Sequence, residues 1–366
     1  MDFDEQVFRV ALNMLPGVGP VTAKKLVAFC GNAKQVFREK KDALLAVPHV
    51  VPAVVKAISD EKILLRAEEE IEFCSKNGIQ ILYYLDAKYP NRLKQCYDAP
   101  VVIYTQGNAE LSPSKTLGII GTRKPTEYGA MLTEKLVEQF AGTDVLIVSG
   151  LAHGIDVYAH KAAVQNQIPT IGVLAHGLDH MYPAAHRGIA KKMRENGGLL
   201  TDFPSRTIPD KENFPLRNRI VAGLCDAIVV VESGESGGSM ITAEFASNYN
   251  RDVFAFPGRV GDVYSAGCHK LIKQHKAALI ESGEDVMKFM GWDNEKKISA
   301  KQSSLTLQLS DDELNIMKKM QGQGNVHIDE LCTTTGFAMG KLSAMLLTME
   351  FAGAVKSLPG KFYRLN

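Results

Sequence analysis

Apolar positions along this chain change their rhythm twice. Residues 1 to about 80 read as helices, and Leu15-Pro16-Gly17-Val18-Gly19-Pro20 places two glycines at a tight helix-to-helix turn ahead of an amphipathic segment, the pattern of a helix-hairpin-helix. From residue 117 the pattern becomes a series of short apolar runs, at 117–120, 145–148, 170–174, 199–202, 227–231, 253–256 and 278–280, each separated from the next by a helix-length segment. Near-continuous apolar strands alternating with helices specify a mostly parallel sheet covered on both faces. The expected fold class is therefore α/β, a Rossmann-like doubly wound sheet. A polar stretch rich in Lys, Ser and Gln reads as a linker at 293–309. Beyond it, 311–320, 328–334 and 339–351 read as helices and 355–363 as a small hairpin, the plan of a winged helix. The expected domains are thus 1–80, helical; 81–292, the sheet domain that carries the ligand; 293–309, the linker; and 310–366, the winged helix.

Ligands of a doubly wound sheet sit beyond the carboxyl ends of its strands. Three loops there are built from small residues: Gly121-Thr122-Arg123, Ser149-Gly150-Leu151-Ala152 and Ser236-Gly237-Gly238-Ser239. A small-residue loop between a buried strand and a helix leaves backbone N–H groups free at the positive end of the helix dipole, where an anion is held. One such loop suggests a small nucleotide. Several along one sheet edge, joined by Arg217-Asn218-Arg219, suggest a polymer of phosphates. The segment from Lys211 to Arg219 supplies three cations, an amide and the ring of Phe214, a mixture that holds phosphates and stacks a base of a single strand, since a duplex hides its base faces. The competing reading makes Phe214 a core residue and the arginines internal ion-pair partners.

The dinucleotide fingerprint GxGxxG is absent and no acidic residue closes the strand 145–149, so NAD is disfavoured and no cofactor is expected. His153 and His160, with Asp156 between them, share a helix face in this reading, but no third ligand has a clear spacing, so no metal is expected. The helix-hairpin-helix turn either points N–H groups at a phosphate or serves packing alone, with only Lys24 and Lys25 nearby.

Composition adds limits. Apolar residues make up 45% of the 366 and charged residues 23%, with a net charge of +1. No region is broadly basic, so nucleic-acid affinity has to come from a local patch. Residues 301–366 hold seven basic and six acidic side chains, a balance that does not favour tight duplex binding. The six cysteines lie far apart with no CxxC pair, no secretory apolar region opens the chain, and no apolar run approaches the ~20 residues needed to cross a bilayer. A soluble protein of a reducing cytoplasm, without membrane contact, is expected.

Taken together, Gly121-Thr122-Arg123 with Pro125-Thr126 and Tyr128-Gly129, Ser149-Gly150-Leu151-Ala152 with Gly154-Ile155-Asp156 and Ala159-His160, Gly177-Leu178-Asp179 with Tyr182-Pro183, Arg217-Asn218-Arg219-Ile220, Ser236-Gly237-Gly238-Ser239, Thr242-Ala243 and Pro257-Gly258 resemble the DNA-processing protein A (DprA/Smf) family over roughly residues 90–290. The resemblance implies a SAM-like helical domain before the sheet and a winged helix after it. It also implies a non-enzymatic protein with no catalytic residue. Such a protein binds single-stranded DNA in a pocket at the sheet edge, forms homodimers through the Rossmann-like domain, protects incoming DNA and loads the RecA recombinase during natural transformation. Carried over by position, Gly121, Thr122 and Arg123 would cradle a phosphate, Lys211, Arg217 and Arg219 would line the positive pocket, and Phe214 would contact a base. Ser149, Gly150, Asn218, Gly237, Gly238 and Ser239 complete the expected DNA-binding set. Many members have Ser where this chain has Thr122, a change that keeps the hydroxyl. A dimer contact is expected near 253–256 and Cys268-His269-Lys270-Leu271-Ile272, read as the far edge of the sheet. The alternative class is an enzyme: Gly237-Gly238 followed by Thr242-Ala243-Glu244 also resembles the PGGxGTxxE loop of nucleotide phosphoribohydrolases, without its leading Pro, and would put Glu244 beside a ribose and Arg217 on the phosphate.

Overall fold

Helices α1 (Phe3–Met14), α2 (Pro20–Cys30), the short α3 (Ala33–Val36), α4 (Lys41–Leu45) and α5 (Pro52–Ile58), and the longer α6 (Glu61–Lys76) form the N-terminal part of the computed structural model. The structure describes residues 3–293, 310–321, 324–351, 354–358 and 360–365. The turn between α1 and α2 needs its glycine, because Gly17 has φ +73°, a left-handed conformation costly for any other residue except Asn or Asp. The apolar faces of these helices do not close on themselves. Leu12, Leu26, Val54 and Cys74 share one core with Tyr83, Val102 and Tyr104 of the sheet, and helices and sheet belong to a single unit that runs to Met290. Glu70 of α6, itself buried, accepts the backbone N–H of Ser205 at 2.8 Å and pairs with Arg66 at 2.8 Å, which ties the helical region to the loop after the sixth strand.

The sheet has nine strands in the order β1-β2-β6-β5-β4-β3-β7-β8-β9. They are β1 (Gln80–Tyr83), β2 (Val102–Gly107), β3 (Lys115–Ile120), β4 (Val145–Ser149), β5 (Thr170–Val173), β6 (Gly197–Thr201), β7 (Ala227–Val230), β8 (Asp252–Ala255) and β9 (Ala278–Leu279). The seven runs anticipated from hydropathy are the seven parallel strands from β6 to β9. β1 and β2 were not anticipated and extend the sheet antiparallel on one side. β3 and β4 are buried along their whole length, as strands covered on both faces must be. Crossovers are α8 (Glu127–Glu138), α9 (Ile155–Gln165), α10 (Arg187–Met193), α11 (Asn213–Leu224), α12 (Gly238–Asn248) and α13 (Ala266–Lys273), with the short α7 (Asn91–Lys94) before β2 and α14 (Gly283–Phe289) at the end. The chain moves from β3 outward to β6 and then returns to lay β7 on the other side of β3, so the switch point lies between β3 and β7. β9 pairs with β8, which moves the far edge one strand beyond the position inferred from 253–256. Cys268 of α13 is buried against the strand ends rather than presented outward.

The second unit contains α15 (Asp311–Met320), β10 (Val326–His327), α16 (Ile328–Thr335), α17 (Met339–Phe351), β11 (Val355–Leu358) and β12 (Phe362–Leu365). Ser310 and Glu313 form a reciprocal cap at the start of α15. Ile316, Leu331, Leu342 and Leu346 fill a small core of their own, and the three-stranded antiparallel sheet β10-β12-β11 is the wing. The linker inferred at 293–309 lies, beyond Asp293, outside the described residues.

Candidate nucleic-acid interface

Because the sheet is parallel, the loops leaving β3, β4 and β7 all emerge on one edge, around the switch point. Gly121 starts the first loop, and a Cβ there would lie 2.5 Å from Ile155 and 2.8 Å from the Glu232 carbonyl, so only glycine lets the loop pass. The backbone N–H of Thr122 donates to the Glu232 carbonyl at 2.7 Å. The Glu232 side chain accepts the N–H of Thr126 at 2.9 Å, and Thr126 caps α8 through Gly129 N–H at 3.0 Å. The loop after β3 is thus fixed by the loop after β7. Its hydroxyl at Thr122 accepts the Lys124 N–H at 3.2 Å, which shapes the turn rather than leaving that oxygen free.

In the loop after β4, Gly150 makes room for a guanidinium: a Cβ there would sit 1.5 Å from Arg217 Nη1. Arg217 projects from α11, is buried, and its Nε has no hydrogen-bond partner among the described residues. Burial pushes its pKa down to about 10, with Asp156 opposing the shift and Arg123 adding to it. Asp156, also buried, accepts the Ala152 N–H at 3.3 Å, and its carboxyl is raised by burial while Arg217 holds it down. A buried cation with donors left over and only one nearby counter-charge is costly to the free protein, and an incoming anion would satisfy it. The third wall is the loop after β7, where Gly237 at φ +139° delivers the N-terminus of α12. There Asn218 Nδ2 donates to the Gly238 carbonyl at 3.1 Å, and the hydroxyls of Ser233 and Ser239 meet at 2.8 Å.

These walls enclose a cavity of about 630 Å³ lined by Gly121, Thr122, Arg123, Gly150, Lys211, Phe214, Arg217, Asn218, Gly237, Gly238 and Ser239. Phe214 is half-exposed rather than core, and the Arg123 guanidinium lies 4.8 Å above its ring. Asp156 is the one carboxylate among the lining residues. A larger groove, about 1240 Å³, runs between α6 and β1, but Glu68, Glu69, Glu72 and Asp86 on it make it a poor anion site.

Two residues of the expected set stand elsewhere. Ser149 is buried and its hydroxyl donates to the Ile119 carbonyl at 2.6 Å, joining β4 to β3 beneath the loop. Arg219 is directed away from the cavity: it pairs with Asp202 at 2.6 Å and donates to the Asp98 carbonyl. The reason is helical geometry, since residues two apart on a helix point to nearly opposite faces. The ion-pair reading of the arginines therefore describes Arg219 but not Arg217. His153 precedes α9 and packs its ring 4.9 Å from His186, whereas His160 is buried inside the helix layer on Thr170 at 2.8 Å, so the two do not share a face. Burial, with His186 and Arg217 adding to it, holds His160 neutral with a pKa of about 3. Among the described residues no group of His, Cys, Asp and Glu is arranged to hold a metal. Glu244 is exposed and does not line the cavity, which removes the acid that a glycosidic cleavage here would use. Lys24, near the helix-hairpin-helix turn, is half-buried, lying over the Tyr84 ring at 5.7 Å with its ammonium lowered in pKa by burial. Tyr182 and Tyr264 also line the cavity. Of these, Tyr182 had a signal in sequence, the Tyr182-Pro183 pair within the family-like blocks.

Known proteins resemble this chain over the stretch that contains the cavity. The family model described as DNA recombination-mediator protein A matches residues 80–291, and the DprA winged helix domain matches 300–361. DNA processing protein DprA of Bacillus subtilis is 41% identical over 212 residues, 58% of this chain and 71% of that protein. Protein Smf of Synechocystis sp. is 30% identical over 393 residues, 98% of each chain. The X-ray structure of DNA processing protein A from Streptococcus pneumoniae superposes with a TM-score of 0.63 at 32% identity, over 78% of this chain and 97% of that one. DNA processing protein A from Helicobacter pylori, whose structure addresses its single-stranded DNA binding mode, superposes with a TM-score of 0.54 at 27% identity, over 59% of this chain and 96% of that one.

Proposed function

The chain belongs to the DNA recombination-mediator protein A family, and we propose from that premise and from the cavity that it binds single-stranded DNA at the switch point between β3 and β7. The observation that carries this reading is Arg217: a buried guanidinium with an unpartnered Nε, seated over Gly150 where three loops converge. The phosphates of the strand would lie on Arg217, Lys211, Arg123 and the backbone N–H groups of Gly237, Gly238 and Ser239, with Asn218 bracing the α12 terminus and Gly121 and Thr122, whose N–H is taken by the Glu232 carbonyl, shaping the wall. Gly150 and Ser149 shape the floor. Phe214 stacks a base. The single-stranded DNA binding described for the Helicobacter pylori relative supports this choice of ligand.

In this reading the protein is a non-enzymatic DNA-binding factor: it protects strands taken up in natural transformation and passes them to the RecA recombinase, working as a homodimer in the cytoplasm. Residues 81–292 carry the DNA contact; 1–80 and 310–366 are accessory. A reducing compartment is supported by six free cysteines, and no helix among the described residues is long and apolar enough to cross a membrane.

The test is an anisotropy titration with a labelled oligonucleotide, single- against double-stranded, at two salt concentrations. Tighter binding of the single strand with a salt-dependent affinity is expected. Equal or tighter binding of a matched duplex refutes the reading, and release of adenine from AMP would favour the hydrolase instead.

A further inference from the structure

The loop 202–210, which leaves β6 and runs into Lys211 on the cavity wall, is held from outside the sheet. Asn13 of α1 donates its Nδ2 to the Asp202 carbonyl at 3.1 Å. Further along, α6 takes both backbone groups of Ser205: Glu70 accepts its N–H at 2.8 Å and Arg66 donates to its carbonyl at 2.7 Å. Glu70 also accepts the Ser205 hydroxyl and pairs with Arg66, one turn away on the same helix face. Glu69 then reaches the Arg206 guanidinium at 2.9 Å. The helical region thus grips the first half of the loop at both ends.

Arg206 bears the mark of a position that is held in place. Its φ is +69°, a left-handed conformation that is unfavourable for a residue with a Cβ and persists only where the surroundings over-determine it. Asp179 accepts its N–H at 2.9 Å, in addition to the Glu69 contact on its side chain. The restraint continues toward the cavity. The Thr207 carbonyl accepts the Gly177 N–H at 3.0 Å, the Ile208 carbonyl accepts Asn213 Nδ2 at 3.4 Å, and Asp210 accepts the Glu212 N–H at 3.0 Å. Pro204 and Pro209 fix two further φ angles. With an anchor at nearly every residue from Ser205 to Asp210, a shift at Ser205 is passed along to Lys211 rather than absorbed. Glu70 is itself buried, and a buried ion pair adds little net stability over apolar packing. What Glu70 contributes is the one geometry it imposes on Ser205.

We propose that the N-terminal helical region braces the cavity wall, with Glu70 a positioning residue that acts through the loop 202–210 on Lys211. The inference rests on the single-strand reading above and gives residues 1–80 a part in it. They keep the loop ordered in the free protein, so that an incoming strand does not have to order it. Glu70 touches no ligand, and its effect reaches the strand only through Lys211.

The experiment is a double-mutant cycle on the full chain, read by anisotropy with a labelled oligothymidylate, with urea unfolding to show that each variant folds. Glu70→Ala weakens binding about tenfold, the order of the penalty for fixing one backbone residue on binding. In the Lys211→Ala background the same change costs less than about twofold, because the contact it would misplace is already gone. Glu70→Gln keeps a carbonyl oxygen for the Ser205 N–H and holds affinity within about twofold of wild type. Asn13→Ala removes the other tether at a less buried position, weakens binding about threefold and is coupled to Lys211→Ala in the same way. It decides the question if Glu70→Ala does not fold. A folded Glu70→Ala chain with wild-type affinity, or a loss that adds in full to that of Lys211→Ala, overturns the brace and leaves the single-strand reading intact. Failure of the wild type to bind the oligothymidylate overturns both.

Discussion

Replacing Arg217 by Met separates what the guanidinium does to the fold from what it does for a ligand. Burial brings its pKa down from the ordinary guanidinium value to about 10. At ~1.36 kcal/mol per unit, the charged form is carried in the folded chain at a cost of about 3 kcal/mol, with the attraction of Asp156 already included in that net figure. Methionine fills most of the same space over Gly150 without the charge. The Arg217→Met chain is therefore expected to be at least as stable as wild type at about pH 5, and by as much as roughly 3 kcal/mol more so. The advantage depends on pH through Asp156, whose carboxyl is raised above 3.8 by burial and held down by Arg217. Without Arg217 it rises further. A carboxyl raised in the folded state contributes stability below its unfolded pKa and loses it as pH climbs through the folded value, so the variant's advantage shrinks toward about pH 8. Adding Asp156→Asn flattens that dependence. Binding goes the other way: the lost charge-assisted contact to phosphate weakens single-stranded DNA by about 1.5–3 kcal/mol, roughly tenfold to a hundredfold. Urea unfolding at the two pH values and anisotropy on the same preparations measure both. A variant that loses several kcal/mol at about pH 5 makes Arg217 a structural ion-pair partner, and one that binds with wild-type affinity removes it from the site.

Three further outcomes are expected. Arg123→Ala weakens single-stranded DNA about tenfold or more and lowers the slope of log K against log salt by roughly 0.7, read by anisotropy at several salt concentrations; an unchanged slope would place Arg123 off the phosphates. Arg219→Ala leaves buried Asp202 without its partner and is expected to destabilise the fold by about 3–5 kcal/mol in urea unfolding, while the folded fraction keeps the wild-type salt slope. Removing residues 301–366 leaves most affinity intact, because seven basic against six acidic side chains give little counterion release; a large loss by a folded truncation would make the winged helix a main DNA contact.

Parts of this molecule were legible in the sequence for identifiable reasons. The seven parallel strands announce themselves as continuous apolar runs because both faces are covered, and the loops after β3, β4 and β7 are rich in glycine because neighbouring chain segments approach closely there, as at Gly121 and Gly154. β1 and β2 escaped because they lie at the sheet's side, where the exposed Gln80 and the half-buried Thr105 are polar and cut the apolar run short. Arg217 and Arg219 look equivalent in a line of text. Which one faces the ligand is decided by where the turn of α11 meets Gly150 on one side and Asp202 on the other, a tertiary fact with no local signature. The same holds for Lys24, whose burial over Tyr84 depends on a loop sixty residues away. His153 and His160 were misplaced for a smaller reason: Gly154, at φ +79°, starts α9 after His153 rather than before it.

A net charge of +1 on 366 residues is compatible with binding a polyanion only if the site makes its own field. The parallel sheet supplies the means. Strands that run the same way bring their following loops to one edge, so residues scattered from Gly121 to Ser239 along the chain meet around a single cavity. Two of the donors needed there are backbone N–H groups at the start of α12, which carry no formal charge and leave no mark on composition. The cations are few, Arg123, Lys211 and Arg217, and the one lining carboxylate, Asp156, sits near the most deeply buried of them. Arg217 does not neutralise Asp156 in a surface ion pair but remains charged with an unpartnered nitrogen, and Gly150 is the residue that lets it do so. On the proposed reading the cost of burying that charge in the free protein would be recovered when an anion enters, so that a phosphate is preferred without a basic surface that would attract duplex DNA everywhere else.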